Sequence, residues 1–398
     1  MARTQTDRCP GVLAVHQAAD GGLARVRVPG GMLTVDQLEV LRVAAQQLGD
    51  GRLELTSRGN VQVRGLSADG PRELSERLYD AGLLPSITHE RVRNILASPL
   101  SGLDLESRYD VLPVAAAVDR ALCSRPGLAE LPGRFLFALD DGRGDLGHMQ
   151  ADVLVRAVDG REAVLSLGGV GVRVGWGEAA EVTVAAAEAF LAERAAQGSQ
   201  AWRVAELEDG AHRILDRLGL TREQTAAGTD ESTAAAVAAV LHPQVAGVHA
   251  QVAAGVHAQV DGMRALVVTV PLGSLGPEQA DVLQQVAAGQ VRITPWRSVV
   301  LPGLSGDPSA RLDEVGLVTK ADSPWNGVTA CAGQPGCAKA LADVRADARR
   351  VTPRLPRHGR PMHWSGCERR CGKPAGEFVD VLAIGNGYVI DGERMGLR

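Results

Sequence analysis

The chain has 398 residues, with 42 Lys and Arg against 47 Asp and Glu, so its net charge of −5 draws it neither to nucleic acid nor to an acidic membrane surface. Hydrophobic residues make up 45%, no run of about 18 apolar residues occurs to span a membrane, and the length suits two or three domains with separate cores. Aromatics are only 3%, so those cores must be built from Ala, Val and Leu; the opening MARTQTDRCPG lacks an apolar stretch, and a cytoplasmic place is expected.

The first elements form a unit that the chain repeats. VPGGMLTVDQLEVL from Val28 and VPLGSLGPEQADVL from Val270 share Gly31/Gly273, Leu33/Leu275, Gln37/Gln279 and Leu41/Leu283 in one register. Thr34 predicts an N-cap, with Gln37 completing a capping box, and Leu38, Leu41 and Ala45 have helical spacing. In the second copy Pro277 takes a first-turn position. LELTSRGNVQVRGL (53–66) and VRITPWRSVVLPGL (291–304) then align without a gap and alternate as half-buried strands do. Farther on, LPGRFLFALDDG (131–142) resembles LPRHGRPMHWSG (355–366).

The chain therefore reads as two copies of a larger unit, near 21–200 and 263–398, joined by a bridge that is helical over Gln200–Leu218 and Ala-rich beyond. Such a duplication predicts a pseudo-twofold body with a cleft between its halves. Within the bridge AGVHAQV occurs twice, setting His249 and His257 at matching positions. They are paired metal ligands or, with no carboxylate in the motif, simply a duplicated loop.

Cys331, Cys337, Cys367 and Cys371 crowd into the last part of the chain, while Cys9 and Cys123 stand apart. The pairs ACAGQPGC and SGCERRCGKP offer four thiolates, enough for the four irons of a cubane cluster. Gly333, Pro335 and Gly336 suit a tight loop, and AKALADVRADARR after Cys337 predicts a helix whose N-terminus would face an anionic cluster. Zinc is the competing occupant, but five residues between paired ligands is wide for it.

These motifs together resemble the nitrite and sulfite reductase superfamily, over nearly the whole chain from about Gly21. TSRGNVQVRG (56–65) resembles its Thr-Thr-Arg-x-x-x-Gln strand, and VRNILASPLSG (92–102) its Arg-Asn loop. The resemblance implies an α+β fold: two ferredoxin-like half-domains and two cleft-flanking mixed domains. Its expected division is 1–84 (N-terminal segment and first half-domain), 85–200 (first mixed domain), 201–262 (helical linker), 263–305 (second half-domain) and 306–398 (4Fe–4S cluster domain). It further implies a tetrapyrrole with eight carboxylates held against the cluster by Arg25, Arg27, Thr56, Arg58, Gln62, Arg64, Arg91, Arg93, Asn94 and Arg134. Of these, Arg27, Arg93 and Arg134 match positions facing the reductases' small anion. Guanidinium forks are apt partners for many carboxylates.

The chain also departs from the reductases. Leu136, in GRFLF, stands where they carry a lysine, and Glu54 where they carry an arginine beside the macrocycle. Both changes act against anion reduction. A branch of the superfamily, the precorrin-3B synthases, is similar to this chain in CPGVLAVHQAADGGLARVRVPGG (9–31) and LPGRFLFALDDG. That likeness implies an oxidoreductase of monooxygenase type, converting precorrin-3A with dioxygen by ring hydroxylation and γ-lactone formation, in cobalamin biosynthesis. The alternative is a sirohaem-dependent nitrite or sulfite reductase. The first reading brings the 4Fe–4S cluster, a mononuclear non-haem iron and an electron donor, a reductase or ferredoxin fed by a nicotinamide; sirohaem belongs only to the second. His363, His249, His257 and His89 are the least implausible ligands for the second iron, though each reads better as an ordinary histidine, and Cys9 reads better as an N-terminal cap than as a ligand.

Overall fold

The computed structural model describes residues 9–220, 252–355, 359–374 and 376–395. The first unit folds as β1 (His16–Ala18), β2 (Gly21–Val26), β3 (Met32–Thr34), α1 (Val35–Leu48), β4 (Leu53–Leu55), β5 (Val61–Leu66) and α2 (Gly70–Asp80). Thr34 caps α1 as expected: its hydroxyl accepts from Gln37 N at 3.1 Å, and Gln37 Oε1 accepts from Thr34 N at 3.1 Å. The first mixed domain follows with β6 (Ile95–Ala97), α3 (Leu112–Cys123), β7 (Phe137–Asp140), β8 (Val153–Ala157), β9 (Glu162–Leu167), β10 (Val170–Gly175), α4 (Trp176–Ala196) and α5 (Gly210–Arg217).

The second copy runs through β11 (Gly255–Ala258), β12 (Arg264–Thr269), β13 (Ser274–Leu275), α6 (Pro277–Val286), β14 (Gln290–Ile293), β15 (Ser298–Leu304) and α7 (Ser309–Glu314). It ends in β16 (Val328–Ala330), α8 (Val344–Val351), β17 (Met362–Ser365), β18 (Val379–Ile384), β19 (Gly387–Ile390) and β20 (Glu393–Met395). The fold is α+β, and no helix among the described residues is long and apolar enough to cross a membrane.

The half-domains are interlocked. One sheet runs β1-β2-β5-β4-β13 and the other β11-β12-β15-β14-β3, so each takes its last strand from the opposite half. Ser274 lies opposite Glu54, and Arg292 opposite Met32. One apolar core spans both halves, from Leu33, Leu41 and Val63 to Val268, Leu283 and Leu301. The crossing is tight at Gly31: its φ is +71°, and a Cβ there would lie 2.1 Å from the Ile293 carbonyl oxygen. Only glycine fits both conditions.

The mixed domains each carry one five-stranded sheet, β6-β7-β8-β9-β10 and β16-β17-β18-β19-β20, with the first three strands parallel and the rest antiparallel. Two sequence expectations change. The span 201–262 is no separate linker where described: Ala201, Val204, Leu207, Ile214 and Leu215 pack into the first mixed core, and β11 pairs with β12 of the second half. The helix expected directly after Cys337 begins only at Val344, capped by the Asp343 carboxylate on Ala346 N at 3.0 Å. Backbone bonds of Leu341 to Gly366 and of Gln334 to Ala342 hold the intervening residues in turns.

Candidate cluster centre and adjoining cleft

Because β16 and β17 are parallel neighbours, the loops at their carboxyl ends emerge side by side and bring the two cysteine pairs together. Cys331 N donates to Trp364 O at 3.0 Å, and Cys331 Sγ accepts from Gly366 N at 3.1 Å. Amide bonds to sulfur of this kind tune a cluster's potential. Burial first, and then the thiols of Cys331, Cys367 and Cys337, push the Cys371 thiol upward against the pull of Arg369. All four thiols thus bear on one site. Five residues between Cys331 and Cys337 is wide for paired ligands of a single zinc, and four thiols gathered on one site suit a multi-iron cluster.

Three charged side chains brace these loops. Arg64 forks onto Asp20 at 2.9 and 2.9 Å and donates to Gly336 O at 2.8 Å. Arg345 donates to Cys331 O at 3.1 Å and forks onto buried Glu54 at 2.6 and 2.7 Å. Glu54 also accepts from Ser274 Oγ at 2.7 Å. Its charge is neutralised where it stands, which corrects the expectation that it opposes an anion in the cleft; its effect there is the absence of a cation.

Beside Cys371 lies a cavity of about 220 Å³ where all four parts of the chain meet. The loop after β4 contributes Ser57 and Arg58, and its repeat partner contributes Pro295, Trp296 and Arg297. Leu136 and His148–Gln150 come from the first mixed domain, and Thr329 and Gly372–Pro374 from the cluster side. The Leu136 backbone is fixed by its N–H bond to Asp152 Oδ2 at 2.9 Å.

The arginines expected to bind a macrocycle separate into groups. Burial, then Arg25, then Arg58 hold the Arg27 guanidinium well below its usual range, partly offset by Cys9 and Glu90. Burial, then Arg203 and Arg25 bring Arg58 down to about 10, with Cys9 and Asp152 acting the other way. Arg25, Arg27, Arg58 and Arg203 are thus mutually repelling cations, and Cys9 lies among them. Arg27 donates to Arg91 O at 3.0 Å but leaves its buried Nη1 without a hydrogen-bond partner. Such an orphaned donor suits an incoming anion. Gln62, with its amide oxygen turned toward Arg25, accepts from it at 2.6 and 3.0 Å.

Other expected residues already have partners within the fold. Arg93 forks onto Asp119 at 2.7 and 2.7 Å and donates to Leu83 O at 2.9 Å, so all three of its nitrogens are engaged. Thr56 Oγ1 accepts from the Asn60 amide at 3.1 Å, and the Asn94 side chain donates to Gly133 O at 2.9 Å. Exposed Arg134 lies over the Trp202 ring at 5.1 Å. Among the histidines, His89 is satisfied by Ser86, Thr88 and Arg125 O, and His257 bonds Ala253 O at 2.9 Å. His249 and most of the first AGVHAQV copy lie outside the described residues. His363 is buried behind Thr329, 2.8 Å from its hydroxyl; burial, then Arg297, push it down to about 3. Sequence reasoning missed Arg297, although the repeat alignment sets it opposite Gly59; desolvation brings its guanidinium to about 10.

The nitrite/sulfite reductase ferredoxin-like half domain matches residues 16–81 and 256–314, one segment on each interlocked half. Both halves of the chain thus carry a segment of that half domain. The chain is 28% identical to a precorrin-3B synthase of Sinorhizobium sp over 411 residues, covering 100% of this chain and 85% of the relative. A ferredoxin–nitrite reductase of Synechococcus elongatus is 27% identical, over 94% of this chain and 78% of that one. The chain shares its fold with the NirA protein of Mycobacterium tuberculosis, with a TM-score of 0.67 at 21% identity over 93% of this chain and 73% of that one.

Proposed function

We propose that this oxidoreductase converts precorrin-3A to precorrin-3B in cobalamin biosynthesis, with the macrocycle held in the arginine-lined cleft as substrate. The observation that carries the reading is at the cleft wall: Leu136, almost wholly buried and with its backbone fixed through Asp152, leaves no proton-donating side chain where the resemblance sets a lysine. Such a wall suits a ring that must be held rather than a small anion that must be protonated. The likeness to a precorrin-3B synthase over the full chain supports the same choice.

Arg25, Arg27, Arg58 and Arg203 would pair with the peripheral carboxylates of the ring, and binding would relieve the repulsion among these cations. Trp296, at the cavity wall, would pack on its face and shed water from it. Hydroxylation with dioxygen would insert one oxygen atom, send the other to water and consume two electrons and two protons; a neighbouring acetate carboxyl adding across an adjacent ring C=N bond, with its proton passing to that nitrogen, would then close the lactone. Cys331, Cys337, Cys367 and Cys371 would hold a 4Fe–4S cluster, which supplies electrons one at a time from a ferredoxin-like or reductase donor. A mononuclear iron would supply an open position for dioxygen.

The test is an absorption spectrum of anaerobically purified protein with acid-acetone extraction, followed by incubation with precorrin-3A with and without dioxygen. Iron and sulfide without stoichiometric sirohaem, and product only with dioxygen, is the expected result. Stoichiometric sirohaem would make the protein a reductase, and equal conversion without dioxygen would remove the monooxygenase reading.

A further inference from the structure

The two mixed sheets repeat each other strand for strand, so the cysteine loops have counterparts in the first half. In the second half Ala330 lies opposite Trp364, and in the first Ala97 lies opposite Leu139. The next residue behaves alike in both. Cys331 N donates to Trp364 O at 3.0 Å, and Ser98 N donates to Leu139 O at 3.0 Å. Cys331 Sγ accepts from Gly366 N at 3.1 Å, and Ser98 Oγ accepts from Asp141 N at 3.1 Å. A hydroxyl thus stands in the place of a cluster thiol. The loop after β17 goes on to supply Cys367 and Cys371; the loop after β7 supplies Asp141 and Asp145, with Asp140 ending the strand.

These three carboxylates are each 1% exposed or less, with ligand atoms within 4.8 Å of one another. Two guanidiniums face them. Arg143 forks onto Asp141 and reaches Asp104 at 2.8 Å, and Arg156 lies 3.3 Å from Asp140, which also accepts from the amides of Gly142 and Gly144. The third carboxyl has no such partner. Asp145 Oδ1 accepts from Ser98 Oγ at 2.7 Å, while the buried Oδ2 of the same carboxyl, close to Asp140 and Asp141, has no hydrogen-bond partner. A buried carboxyl oxygen in that setting needs a cation or a proton.

We propose that Ser98, Asp140, Asp141 and Asp145 form a site for one hard divalent cation, at the pseudo-twofold mate of the cysteine site. Oxygen donors in place of thiolates turn the same scaffold from soft to hard metals, the class of Mg²⁺, Ca²⁺, Mn²⁺ and Fe²⁺. The inference goes beyond the proposed reaction: only the comparison of loops draws on the cysteines, and the site would stand if that reaction were refuted.

The probe is Mn²⁺, titrated into full-length protein and followed by the electron paramagnetic resonance signal of the free ion. One site is expected per chain, competed by Mg²⁺ and weakened by more than about tenfold in Asp145→Asn, which keeps the side-chain shape. Ser98→Ala should weaken it as well, and both variants should keep the visible absorption of the cysteine site as a check on folding. Absence of a Mn²⁺ site in the natural chain overturns the proposal and leaves Asp145 holding a proton. Binding unchanged in both variants overturns it too, because the ion then sits elsewhere.

Discussion

Glu54 and Arg345 lie 291 residues apart and meet in a two-pronged ion pair at 2.6 and 2.7 Å. The pair joins the first half-domain to the loop that carries Cys331, because the same guanidinium also holds the Cys331 carbonyl. Burial alone would raise the Glu54 carboxyl, but Arg345, aided by Ser274 and Arg52, brings it below its ordinary 4.5. A carboxyl lowered on folding stabilises above its unfolded value, and that contribution fades as pH falls through the lowered one. Arg345→Ala should cost about 3–5 kcal/mol, since it strands a buried charge. Denaturant unfolding at neutral pH and below about 4.5 checks both points, with the variant losing less than the natural chain on acidification.

Arg58 and Arg64 sit near one another in sequence yet should fail differently when removed. Arg58→Ala should weaken binding of an eight-carboxylate tetrapyrrole such as uroporphyrin by about tenfold to a hundredfold, the worth of one charge-assisted bond. Fluorescence titration reads this directly, and the cluster absorption should persist.

Arg64→Ala should do the reverse. Its fork onto Asp20 and its bond to Gly336 O steady the loop between Cys331 and Cys337. Iron and sulfide content should fall while tetrapyrrole affinity changes by less than about threefold, under 1 kcal/mol. Equal loss of both properties would show that the two arginines share one role.

Gly31→Ala should be among the most destabilising single-methyl changes, by about 3 kcal/mol or more, because the new Cβ meets the Ile293 carbonyl at a positive φ. The loss should appear as a lowered unfolding midpoint. Gly82→Ala, with an open φ of +71° and nothing within 4 Å, carries only the backbone cost of about 1 kcal/mol and serves as the control.

Local signals in the sequence carry much of this structure. The capping box at Thr34, the repeated Val-Pro turn and the two cysteine pairs depend on short-range spacing and read directly. The exchange of β3 and β13 does not, because period-two alternation reveals which face of a strand is buried but not which strand lies beside it. Likewise, no spacing rule links Glu54 to Arg345 or Arg64 to Gly336. Arg93 and Arg134 fit an anion-binding motif in sequence, yet Asp119 claims one and the Trp202 ring the other. Nothing in the spacing of Asp140, Asp141 and Asp145 sets them apart in the sequence; the backbone bonds of Ser98, which match those of Cys331, do so in the fold.

The reciprocal strand exchange bears on how such a chain could arise. A single copy of the unit would lack the fifth strand of its sheet, and an identical neighbour would supply it on the same terms, building a symmetric homodimer with its cleft on the dyad. Joining two genes end to end would preserve that pairing while lifting the demand that the copies stay alike. Each half could then drift toward its own chemistry, sulfur on one side of the axis and oxygen on the other, without loosening the joint between them.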